Sequence, residues 1–249
     1  MEQRKQKILL FHAPKEKKKF VSRTQYSPEE VDWIVFLARK HACGWAKMYN
    51  DLVLMGFPNR SPDTIRLKYY LVNNKMNTVA EMLLNNSNDP VILRILEELP
   101  TCVVHHVYNN NTIIQLVIIK DRHTIMEFLI KKHNLGHDEL LLLACEMNAR
   151  KCFRLLLDMF SAAQFHLDFQ QKPLQTGTVL HKLARTDDEE MIDTFYMKFG
   201  GAQIMDALYV CDAAGKTPQD VMISDNGRMA RMILAVTLES ERLIKLQSI

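Results

Sequence analysis

The chain has 249 residues, 47% of them hydrophobic, with only 8 glycines and 8 prolines, so it can bury a full core as one large or two modest domains. No apolar run approaches the roughly 18 residues of a membrane span, and five cysteines without a CxxC pair or metal-ligand spacing exclude a disulfide framework and suit a reducing, intracellular compartment. Net charge is +3, but residues 1–75 hold 15 Lys and Arg against 7 Asp and Glu, or +8, which leaves −5 for residues 76–249. Leu, Met, Glu, Lys and Arg fill long stretches, and β-branched alternation is scarce. An all-α chain is expected.

Residues 1–24 hold 8 cations and 2 anions and read as a basic flexible arm. Its "PKEKKKF" cluster, with Lys15, Lys17, Lys18 and Lys19, suits nuclear import or phosphate contact, and equally a solvated tail. A domain is expected over 25–74. Ser27 and Glu30 form a capping-box pattern with Pro28 at the first helical position, and Val31, Ile34, Val35 and Ala38 follow at helical spacing until Cys43 and Gly44. A second helix carries Trp45, Met48, Tyr49 and Leu52 on one face, with Gly56 as its stop. "NRSPDTIRLKYY" opens a third, with Ser61 as cap, Pro62 and Asp63 in the first turn, and Ile65, Tyr69 and Val72 facing inward. So small a bundle needs large aromatics, here Tyr26, Trp45 and Tyr69.

These residues resemble the Myb/SANT three-helix domain, whose pattern is an aromatic, T/S-x-E-E, G-x-W, R-T/S-P and a last aromatic. Here the pattern reads Tyr26, "SPEE", "GW", "RSP" and Tyr69, with aromatic spacings of 19 and 24 residues. In Myb repeats the third helix enters the major groove, whereas in SANT domains it packs on protein or chromatin. Carried over position by position, the base-contacting Lys falls on Arg66, but the Asn after it is Leu67 and the Asn after the last aromatic is Tyr70. An outward Leu cannot read donor and acceptor patterns, so strong sequence reading is not implied. Phosphate contact would fall to Arg60, Arg66 and Lys68 with the four arm lysines.

From 76 to 249 the chain shows paired helical segments. "ELLLLACEMNARKCFRLLLDMF" reads as a hairpin turning at Asn148. "DAAGKTPQDV", through Asp212, Gly215, Thr217 and Pro218, and "TVLHKLA", through Thr178, Leu180, His181 and Ala184, are similar to ankyrin-repeat openings. Tracing the Thr position back through Glu139 and Thr112 to Val79 gives steps of 39, 39, 27 and 33 residues. The resemblance implies five units over about 76–237, a repeat-turn role for His181, and a C-terminal capping helix or extension of the stack from "TLESERLIKLQSI". It also implies partner proteins.

Adjacent His105 and His106 point apart and suit packing rather than metal chelation, and "DDEE" at 187–190 reads as a solvated face. No phosphate-binding glycine loop, nucleophile elbow or paired-histidine motif occurs. The chain is therefore read as a non-enzyme with no cofactor, metal, membrane or small-molecule substrate. Its expected fold is a Myb/SANT-like bundle followed by a short ankyrin-like stack of helical hairpins. Its expected role is a nuclear adaptor bound to DNA or chromatin and to proteins. The rival reading is a protein-interaction scaffold that binds no DNA.

Overall fold

The computed structural model describes residues 25–136, 138–159 and 177–247. Helix α1 (Pro28–Lys40) starts where Ser27 Oγ accepts from the Glu30 N–H, and α2 (Trp45–Leu54) follows a connection in which Ala42 and Cys43 take left-handed φ. Gly56, at φ +83°, turns the chain after α2, a conformation that favours glycine. Helix α3 (Pro62–Leu84) begins where Ser61 Oγ accepts from the Thr64 N–H. Ile34, Leu37, Ala38, Met48, Leu52 and Ile65 form the core of this first unit, and Tyr26, Trp45 and Tyr69 pack against it. The Trp45 and Tyr69 ring centroids lie 5.6 Å apart.

The chain divides into two units at Asn74 and Lys75. The boundary falls inside α3, so no turn opens the second unit. Val79, set at a repeat opening by the spacing of its threonines, is instead buried in mid-helix. Beyond α3 come α4 (Asp89–Glu97), a 3-10 turn (Thr101–His105), and a hairpin of β1 (Val107–Tyr108) with β2 (Asn111–Thr112). The strands pair antiparallel, Val107 with Thr112 and Tyr108 with Asn111. Asn109 and Asn110 both take positive φ, as a two-residue hairpin turn requires.

Among the described residues three helix pairs follow: α5 (Ile113–Ile119) with α6 (His123–His133), α7 (Asp138–Glu146) with α8 (Arg150–Met159), and α9 (Val179–Thr186) with α10 (Glu189–Leu208). A single 3-10 turn (Gln219–Val221) then precedes α11 (Arg228–Gln247). "TLESERLIKLQSI" forms the C-terminal part of α11, which runs through it unbroken to Gln247. Thr112 and Thr178 stand immediately before α5 and α9, and Thr217 and Pro218 before the 3-10 turn.

One local device recurs in the second unit. Asn86, Asp121, Asn148 and Asp187, each between two consecutive helices, take left-handed φ of 48–54°, which Asn and Asp tolerate better than other non-glycine residues. The two carboxylates, Asp121 and Asp187, then reach forward to the start of a later helix. Asp121 accepts from the backbone N–H groups of Lys151 and Cys152 at the start of α8, and Asp187 from that of Met229 at the start of α11. A carboxylate at a helix N-terminus satisfies orphan N–H groups and meets the positive end of the helix dipole.

Candidate functional site

The surface singled out by sequence is the first-unit part of α3. Arg60, just before it, does not reach solvent: it is 4% exposed and its guanidinium grips the Glu30 carboxylate through two nitrogens, one contact being 2.9 Å. It also donates to the Gln25 carbonyl at 3.2 Å and lies 3.7 Å from the centroid of the Tyr26 ring. The bond to Glu30 raises the Arg60 pKa above its ordinary value. Arg60 is therefore corrected from a phosphate contact to the fastener between the start of α1 and the start of α3. The same pair explains why the capping box at Ser27 is half used: the Glu30 carboxylate is spent on a buried charge that needs it.

Lys68 is half-buried, with its ammonium 5.3 Å from the Tyr26 centroid. Arg66 is exposed and pairs at 3.2 Å with Asp63, one helical turn earlier. The arm lysines Lys15, Lys17, Lys18 and Lys19 lie outside the described residues. The open face of α3 is therefore mixed: around Arg66 stand Leu67 at 61% exposure, Tyr70 at 49%, and Leu71. Tyr70 is held in place by Trp45 and Tyr69, at centroid distances of 5.9 and 5.6 Å. Phe36, Val53, Leu54 and Met55 are also exposed on this small unit.

In the second unit the predicted turn residues do structural work. Thr178 and His181 cap α9, with the Thr178 N–H donating to His181 Nδ1 at 3.1 Å while Nε2–H donates to the Lys216 carbonyl at 2.8 Å. The buried ring thus ties one pair to the loop of the next, and burial lowers its pKa. Gly177, at φ +87°, is required there because a Cβ would meet His181 Cγ at 2.7 Å. Gly215 takes φ +74° in the loop closed by Asp212 and Lys216. Thr217 and Asp220 cap the 3-10 turn reciprocally.

"DDEE" is a solvated face only in part, since Glu189 and Glu190 are exposed while Asp188 is buried. Asp187 caps α11, Asp188 is buried against Arg150 and caps α10, and Glu190 pairs with Arg150 and Arg154. His106 bonds Asn77 at 2.7 Å, and His41 bonds Asp51 at 2.8 Å. Among the described residues, no group of three or more His, Cys, Asp or Glu could hold a metal, and no helix is long and apolar enough to cross a membrane. Burial pushes the Cys145 thiol up to about 12 and raises that of Cys152, which makes poor nucleophiles of both. An apolar pocket of about 300 Å³, lined by Val104, Ile114, Leu135 and Leu140 with His105 and Glu139 at its polar edge, opens between α5 and α7.

Sequence reasoning missed Glu30 as the partner of Arg60, and it missed the forward-reaching Asp121 and Asp187. The second pair carried a signal in the recurrence of Asn or Asp between helices. The first carried none, since its members lie 30 residues apart. Compared with family models, curated proteins and solved structures, the chain gives no match.

Proposed function

We propose that the chain is a nuclear, transcription-related adaptor. It docks a protein through the outward face of α3 and holds another on its paired helices. The observation that carries the reading is the strip Leu67, Tyr70 and Leu71, exposed on the helix that in a Myb repeat would read bases, while Arg60 is turned inward. Apolar and aromatic side chains of this kind suit the centre of a protein interface, where charged groups are depleted. The groove between α5 and α7, next to the hairpin, is a second apolar surface of ligand-binding size. Nuclear placement rests on the "PKEKKKF" cluster.

A second reading, DNA association, is favoured by one feature: Arg66 is exposed at the position that matches a Myb base contact. One experiment separates the two. Binding to duplexes of about 20–30 base pairs, two to three helical turns, is measured across a salt series for the wild type, Arg66→Ala and a variant lacking the four arm lysines. Nuclear-extract partners are compared in parallel for the wild type and a Leu67→Glu/Tyr70→Ala variant. The adaptor reading expects weak, unselective duplex binding that Arg66→Ala leaves unchanged, and partners lost from the α3 variant alone. Sequence-selective duplex binding abolished by Arg66→Ala would hand the function to DNA reading.

A further inference from the structure

The last helix carries a feature that partner docking on α3 or the groove does not use. Met229, Met232 and Val236 bury one face of α11 against the preceding pair, and α10 and α11 run side by side in the same direction, Asp187 beside Met229 and Tyr196 beside Glu239. The opposite face is exposed, and an exposed face of a repeat stack ordinarily turns polar groups to water. Here that face presents Leu234 at 60% exposure and Leu238 at 56%. With Arg231 and Glu241 they sit at spacings of 3, 4 and 3 residues, the seam of a helix that packs lengthwise on another helix.

We infer that α11 pairs antiparallel with α11 of a second copy of this chain, through the seam Arg231, Leu234, Leu238 and Glu241. The seam is complementary to itself in one direction only. Laid antiparallel about its midpoint, Leu234 meets Leu238 and Arg231 meets Glu241, and each contact occurs twice, as an isologous interface requires. Laid parallel in register, Arg231 would meet Arg231 and Glu241 would meet Glu241. Ala230 and Ala235 flank the seam and allow close approach of the two helix backbones. The charges at the two ends are available. Arg231 donates to the Asn226 carbonyl at 3.3 Å and meets Glu189 at 3.7 Å, both exposed contacts that leave its guanidinium open to a further partner, and Glu241 is exposed. Four leucines make a small core, so the dimer is weak and lies at the low end of specific interfaces.

The test is sedimentation velocity of the full chain over about 0.01–1 mM, the range in which so small an interface reports. Arg231→Glu and Glu241→Arg each place like charges opposite one another twice. Both positions are exposed, so the fold is retained, which a melt of each variant checks. The wild type is expected to double its mass with concentration. Each single variant is expected to stay monomeric to at least about tenfold higher concentration, as repulsion across an interface implies. An equimolar mixture of the two single variants should associate again, because glutamate then faces arginine at both ends. The Arg231→Glu/Glu241→Arg chain should recover self-association. A wild type that stays monomeric throughout overturns the inference. So does an association that survives the single substitutions, since it would use another surface.

Discussion

The first unit has one fully buried ion pair, Arg60 with Glu30, set beside aromatic rings, while its other side-chain links, His41 with Asp51 and Tyr49 with Asn59, are only partly buried. The second unit spreads the same work over many sites: Asp121 and Asp187 cap helices of the following pair, Lys132 donates to the Leu96 and Leu99 carbonyls at the end of α4, Arg150 holds Asp188, and His181 bridges to Lys216. The difference follows from construction. Around one small core the starts of α1 and α3 lie together, so a single pair can fix the entry angles of both. A row of helix pairs has no shared centre, and each pair must satisfy its neighbour's helix ends. The first unit should therefore fail at one substitution, whereas the second should lose stability in small increments.

The largest effect expected is at Arg60. Removing one member of a buried ion pair leaves the other charge uncompensated, so Arg60→Ala should cost about 3–5 kcal/mol and unfold the first unit. Pairing Glu30→Leu with Arg60→Met should recover much of that loss. Melts of the single and double variants check it, and an unchanged melt for Arg60→Ala would return this residue to the surface cations. Trp45→Ala follows at about 3 kcal/mol, the low end for large aromatics because the ring is only partly buried. Loss of Tyr69 and Tyr70 contacts should be visible in near-ultraviolet circular dichroism.

In the second unit, Asp187→Ala should cost about 1–2 kcal/mol, the usual value of a lost helix cap. Hydrogen exchange should speed up at the start of α11 and leave α5 and α6 unchanged. If protection falls everywhere, the second unit is a single cooperative block and the contrast fails. The smallest effect is pH dependence through His181. Its folded pKa lies below the ordinary imidazole value of about 6.5, so the unfolded chain takes up the proton first. Stability from this residue is complete above pH about 6.5 and is lost as pH falls from there through the lower folded value. Asp212 and Asp220, held below the usual carboxylate range by backbone bonds to Lys216, Ala214 and Thr217, act only under more acid conditions. Thermal melts between pH 7.5 and 5.5 should slope in the wild type and flatten in His181→Ala.

Signals carried by neighbours along the chain were legible in the sequence. Ser27 with Pro28, Ser61 with Pro62, Gly56, the helical spacing in α1 to α3, and Thr178 with His181 all mark helix starts and stops through bonds that span three or four residues. The hydrophobic period identified an all-α chain, and among the described residues the structure adds only the short hairpin turned by Asn109 and Asn110. The repeat opening set at Val79 fell in mid-helix, and "TLESERLIKLQSI" continues α11, because a helix has no internal mark of where one packing partner gives way to the next. A continuous hydrogen-bond ladder runs through both.

Long-range pairing was decided by tertiary structure alone. The identity of Arg60 as a surface cation or a buried fastener depends on a carboxylate 30 residues away, and that of Asp187 as solvated charge or helix cap depends on an N–H 42 residues away. Local sequence specifies which charges exist and which helix they ride on. Whether such a charge faces water or a partner is set by desolvation, which penalises an unpaired buried ion by several kcal/mol and so selects the one arrangement that brings the two ends together.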